Sequence, residues 1–211
     1  MRLLKMFSLA AIAAVAAMAF IGASSASAQE TALCTSDVAL VCASPYTGHI
    51  EGVATSAPRL LSNLANVTCE NSVILGNALG LASASNGTAQ LTHIELIDFT
   101  GNCKTELGVS CTVTTITLGL ADLLKTGSNQ GTLTSLGNEV RVVCLGVINC
   151  TFGGEPSGSA VGASLPLSSS SLGTITVFEA PLTGKGSLCP AVGKWDANYA
   201  ITLPHELFIT N

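Results

Sequence analysis

The chain has 211 residues, of which 48% are hydrophobic and only 10% charged, and a formal net charge of −5. Its eight Lys and Arg are scattered, which excludes an electrostatic footprint for nucleic acid and a polybasic patch for anionic lipid. The high apolar fraction, with so little charge, excludes a disordered chain.

The first segment reads as an address. Arg2 and Lys5 precede an uncharged apolar run over residues 6–21, and small residues then lead to Ala26-Ser27-Ala28 before Gln29. This order predicts a secretory signal peptide, residues 1–28, cleaved after Ala28. The mature domain is then 29–211, with six basic residues against thirteen acidic ones, a net of −7. No later segment is long and apolar enough to span a membrane as a helix. No membrane partner is therefore expected after signal cleavage.

Along the mature chain the dominant signal is period-two alternation, bounded by Gly, Asn or Pro, which predicts strands. In chain order the candidates are 38–43, 49–55, 66–69, 73–75, 91–99, 111–118, 139–145, 174–178, 195–203 and 206–209. In 195–203, Trp195, Ala197, Tyr199, Ile201 and Leu203 take one face, and Pro204 ends the ladder because it has no N–H to donate. The one helical candidate is 118–125, closed by Gly127. From Gly153 onward the Gly/Ser/Pro-rich stretch, with 168–171 at its centre, reads as a loop. Many short strands with frequent turns predict an all-β fold, an antiparallel sandwich or barrel-like domain stabilised by disulfides. Val113, Ile116, Val142, Val177, Trp195, Tyr199 and Ile201 are expected to be buried.

The order V-x-C, G-T, T-G, Cys occurs twice, from Val67 to Cys103 and from Val142 to Cys189. Two related halves, 29–125 and 126–211, are thus an alternative to one cooperative domain.

All eight cysteines fall in the mature part: Cys34, Cys42, Cys69, Cys103, Cys111, Cys144, Cys150 and Cys189. An even count behind a signal peptide predicts four disulfides. There is no C-x-x-C, and the three histidines lie away from the cysteines, so zinc is not expected. Closeness in sequence favours Cys34–Cys42, Cys103–Cys111 and Cys144–Cys150, leaving Cys69–Cys189. The internal similarity favours Cys69–Cys103 and Cys144–Cys189 instead.

The run from Val143-Cys144-Leu145-Gly146 to Cys150-Thr151-Phe152-Gly153-Gly154, and the ending from Leu188-Cys189-Pro190-Ala191 to Lys194-Trp195-Asp196-Ala197-Asn198-Tyr199, carry a resemblance. They look like small secreted, cysteine-containing β proteins of high-GC Gram-positive bacteria, a group without an assigned function. The resemblance implies compartment and fold class and brings no catalytic residues.

Catalytic chemistry is sparse. His93-x-Glu95 starts like a zinc-deaminase motif, but no P-C-x-x-C follows. On a strand these two share one face and read as a surface pair. His205-Glu206 lacks a second His at metalloprotease spacing. No nucleophile elbow, phosphate loop or dinucleotide fingerprint is present, and no cofactor is expected. Trp195 and Tyr199, four apart on one strand face, read first as core and second as a stacking pair for sugar. The leading expectation is a secreted, non-enzymatic extracellular or surface-associated β protein. A carbohydrate- or protein-binding module, with envelope glycan or an extracellular protein as partner, comes second, and a secreted hydrolase third.

Overall fold

A computed structural model describes residues 31–35, 45–84, 87–162 and 172–210. The expected signal peptide and its cleavage site, the expected 38–43 strand, Cys42 and the expected loop at 168–171 lie outside the described residues. Every regular element described is a strand: β1 (Ala32–Cys34), β2 (His49–Ala54), β3 (Arg59–Ser62), β4 (Val67–Ala84), β5 (Gly87–Thr105), β6 (Ser110–Thr117), β7 (Leu120–Gly127), β8 (Gln130–Leu136), β9 (Glu139–Cys144), β10 (Ile148–Gly153), β11 (Ser157–Val161), β12 (Thr174–Lys185), β13 (Val192–Leu203) and β14 (Phe208–Thr210). All pairings are antiparallel. The expected all-β, antiparallel class is what the chain adopts.

Two long hairpins organise the rest. Strands β4 and β5 have 18 and 19 residues, about 60 Å each at a strand's usual rise. Strands β12 and β13 have 12 each. Shorter strands close the gaps between the hairpins at two levels. At one level the pairing runs β3–β4–β5–β6–β9–β10–β12–β13 and returns to β3. At the other it runs β2–β4–β5–β7–β8–β11–β12–β13 and returns to β2. Closure removes the unpaired edges that an open sheet leaves to solvent. Register shifts at Cys69/Asn71, Leu75/Gly76 and Ala78/Gly80 interrupt the β4–β5 ladder. Such bulges bend and twist a strand, which lets so long a hairpin serve both circuits.

Each circuit encloses its own core. Leu60, Val67, Val142, Phe152 and Leu182 pack with the cystines in the first. Leu33, Ala78, Leu123, Ala160, Ile201 and Ile209 pack in the second. Strands β1 and β14 pair only with each other and bury Leu33, Phe208 and Ile209. They are tied to the second circuit where Asn129 Oδ1 accepts the Ile209 N–H at 2.8 Å.

Several expectations are corrected. Segment 118–125 is not a helix: from Leu120 onward it is strand β7. Ala121 and Leu123 are buried with Asp122 between them, and both backbone edges pair, with β5 and β8, so tertiary pairing overrides local helix propensity. Ile116 is 49% exposed, because it is the extra residue at the β6–β9 register shift between Thr115 and Thr117. Val142, Tyr199 and Ile201 are buried as expected, while Val113, Val177 and Trp195 are partly buried. The stretch after Gly153 holds strand β11. Boundary 125/126 of the suggested halves falls inside β7. The two copies of the repeated order are also not equivalent in the sheet, since β4 adjoins β5 whereas β10 separates β9 from β12.

The disulfides are Cys69–Cys103, Cys111–Cys144 and Cys150–Cys189. This overturns Cys103–Cys111, Cys144–Cys150 and Cys69–Cys189, and also Cys144–Cys189 of the competing set, whose Cys69–Cys103 stands. Register supplies the reason. Cys69, Cys103, Cys111 and Cys144 lie side by side in one row across β4, β5, β6 and β9. Cys103 and Cys111 do face each other, but each bonds to its other neighbour. Cys150 reaches Cys189 because β10 pairs β12, which carries the following turn over β10. Cys34 is also disulfide-bonded; Cys42, its expected partner, lies outside the described residues.

Candidate functional site: an apolar interior cavity

Between the two cores the interior is not filled. A cavity of about 140 Å³ lies toward the first circuit and one of about 80 Å³ toward the second. Ile74, Ile94, Ala121, Leu133 and Ile175 line both. These residues come from β4, β5, β7, β8 and β12, at inward positions of each pleat. Ile74, Ile94, Leu133 and Ile175 remain partly exposed, although large aliphatic side chains gain most from complete burial.

The aromatic wall is built by two strands. Trp195 and Tyr199 on β13 share a face, as their spacing requires, and Phe99 of β5 meets the indole edge-on, with ring centroids 5.4 Å apart and planes at 81°. All three line the larger cavity. Tyr199 is buried, and its hydroxyl donates to Ser72 Oγ at 3.2 Å. Thus Trp195 and Tyr199 stand on the interior wall and do not form an outward platform.

Asn138 and Tyr199, beside the larger cavity, are hydrogen-bonded within the protein. Asn138 Nδ2 donates to Ser135 Oγ at 2.7 Å and to the Leu120 carbonyl at 3.3 Å, while its Oδ1 accepts the Gly119 N–H at 2.8 Å. Burial pushes the Tyr199 phenol up to about 12, partly offset by the Ser72 hydrogen bond. The folded protein therefore holds this proton more tightly than the unfolded chain, whose phenol titrates at 10.0. Stability from this group is complete below pH 10 and is lost as pH rises toward 12, by about 3 kcal/mol at 1.36 kcal/mol per pH unit. Ultraviolet titration should show Tyr199 ionising only together with unfolding; ionisation near pH 10 in the folded protein would contradict its burial.

The His and Glu residues singled out in the sequence, and the remaining paired carboxylates, lie elsewhere. His93 and Glu95 both point outward, but Glu95 pairs with His49 Nδ1 of β2 at 3.2 Å. His205 is exposed. Asp196, Glu139 and Glu179 are taken up by Arg59, Lys185 and Lys194. Among the described residues no three His, Cys, Asp or Glu side chains converge as a metal site. Sequence reasoning named Trp195 and Tyr199 and missed the aliphatic residues of the cavity. Those read as ordinary strand interior, and only the spacing between strands leaves room beside them.

Comparison with protein-family models, curated proteins and solved structures finds no match.

Proposed function

We propose that the mature chain is a secreted, non-enzymatic β protein of the extracellular space or cell surface, whose working site is the interior cavity and whose ligand is a small apolar molecule. The disulfides support the compartment, since such bonds form and persist where conditions are oxidising. The observation that carries the ligand class is the lining. Four partly exposed Ile and Leu side chains face the space, and Asn138 and Tyr199 beside it are already hydrogen-bonded within the protein. An apolar cavity of about 150 Å³ is known to stay dry and take up benzene, close in size to the 140 Å³ chamber.

Titration of disulfide-intact mature protein with the neutral fluorophore N-phenyl-1-naphthylamine should give saturable, blue-shifted emission. Ala121 lies in the wall of both chambers, so Ala121→Leu should fill the space and reduce that signal at least tenfold without loss of the β circular dichroism. Equal emission from the filled variant would sink the cavity as the site.

A further inference from the structure

We propose that the outer face of the β12–β13 hairpin carries a second binding site, a cleft beside Phe178 that takes one neutral pyranose unit of a saccharide. Alternation puts Thr176 and Phe178 of β12, and Asp196 and Asn198 of β13, on the side of the sheet away from the interior. Thr176 lies opposite Asn198, and Arg59 of β3 lies opposite Asp196. Together with Ser56, from the turn between β2 and β3, these side chains line a cleft of about 270 Å³. Small-molecule clefts begin at about 300 Å³, so the space suits one small ligand.

The cleft is built around a bulge. Val177 pairs with Ala197 and Ala180 with Trp195, so Phe178 and Glu179 together face Asp196. Glu179 has a φ of 44°, a left-handed conformation that a residue with a Cβ adopts only at a cost. Asp196, 8% exposed although it lies on the outer side, holds this geometry. Its Oδ1 accepts the Glu179 N–H, which the bulge takes out of the ladder, at 2.5 Å, and its Oδ2 accepts from Arg59 Nη2 at 2.7 Å. Lys194 pairs with the Glu179 carboxylate. Phe178 is 77% exposed, and among the described residues it is the only exposed aromatic ring. Bulges re-aim side chains, and backbone strain held in place by its surroundings gathers at ligand clamps. The outward platform that Trp195 and Tyr199 do not form is present here.

Charge and hydrogen bonding select the ligand. Each cation beside the cleft already has an acid, Arg59 with Asp196 and Lys194 with Glu179. The local charge sums to zero, so an ionic ligand gains no net attraction. Polar capacity remains. Among the described residues, Arg59 Nε and Nη1, the Thr176 hydroxyl and Asn198 Oδ1 have no protein partner. Ser56 Oγ accepts from Asn198 Nδ2 at 3.1 Å and keeps its own proton to donate. Donors and acceptors thus stand beside one apolar ring. Sugar hydroxyls both donate and accept, and a pyranose also has a face of polarised C–H groups that meets the negative face of an aromatic ring. A purely apolar ligand would take water from the polar groups and return nothing.

The test is saturation-transfer NMR on disulfide-intact protein of residues 29–211, with methyl glucoside, methyl galactoside, methyl mannoside, methyl glucuronide and cyclohexanol as probes. At least one neutral pyranoside should bind, with the strongest saturation on its ring C–H protons. Phe178→Ala should weaken that binding roughly tenfold, the scale of losing one stacking contact, and Phe178→Tyr should retain it. Arg59→Gln should weaken it by a similar factor. Phe178→Ala should leave the melting temperature unchanged, because the ring is exposed. It should also leave fluorophore binding intact, while Ala121→Leu should leave pyranoside binding intact, which keeps this site separate from the interior cavity. The inference is overturned if no neutral pyranoside binds, or if Phe178→Ala binds equally well. Cyclohexanol binding as tightly as the best pyranoside would reduce the site to an apolar patch and overturn it too. Glucuronide binding at least tenfold tighter than glucoside would do the same, by making Arg59 an anion site.

Discussion

Protein of residues 29–211 carrying Cys69→Ser together with Cys103→Ser is expected to melt roughly 10 °C or more below the intact form. The bond closes a separation of 34 residues, for which the chain-entropy model gives about 4 kcal/mol. A domain of this size loses about 2–4 °C per kcal/mol. Both sulfurs are buried, at 3% and 5% exposure, so the serine hydroxyls must also find partners in an apolar core, which adds to the loss. Differential scanning calorimetry measures the shift, and a non-reducing peptide map of the parent protein identifies the bond. An unchanged melting temperature would show that this row of cysteines contributes nothing to the fold. A linked peptide joining Cys103 to Cys111 would restore the local pairing that sequence proximity suggests.

The second large effect belongs to Phe152. Its strand, β10, is the element that closes the first circuit by pairing with both β9 and β12. The ring is buried and lies against two glycines. A Cβ at Gly184 would come within 3.1 Å of it and a Cβ at Gly193 within 3.0 Å. The backbones of β12 and β13 thus approach the aromatic face closely because no side chain intervenes. Phe152→Ala removes the ring from between two strands that have nothing to fill the gap, and the expected cost is about 3–5 kcal/mol. Urea unfolding should show the midpoint falling with an unchanged slope. A loss under about 1 kcal/mol would mean that the circuit closes through backbone hydrogen bonds without this packing.

The amino-acid sequence by itself determined the strand composition, most strand positions and the inward face of β13. These depend on neighbours within a few residues. Alternation places Trp195, Tyr199 and Ile201 together, Pro204 stops the ladder, and Thr- and Val-rich runs such as 111–118 prefer a pleated surface. The even cysteine count pointed correctly to disulfides.

Tertiary structure decided what depends on partners distant in sequence. Segment 118–125 could satisfy its backbone as a helix or by pairing, and β5 and β8 on its two sides settled it as strand. Ile116 lost its inward position to a bulge, which a one-residue register shift creates and no local pattern reveals. Cys103 and Cys111 are close in sequence and adjacent in the sheet, yet each has a second neighbour in the same row, so loop length could not choose between them. The cavity is likewise invisible in the sequence, because Ile74, Ile94, Leu133 and Ile175 look like any strand interior until the spacing of five strands leaves them without one another. The residues of the outer cleft had no visible relation along the chain. Antiparallel register alone carries positions 59, 178 and 196 to one place on the molecule.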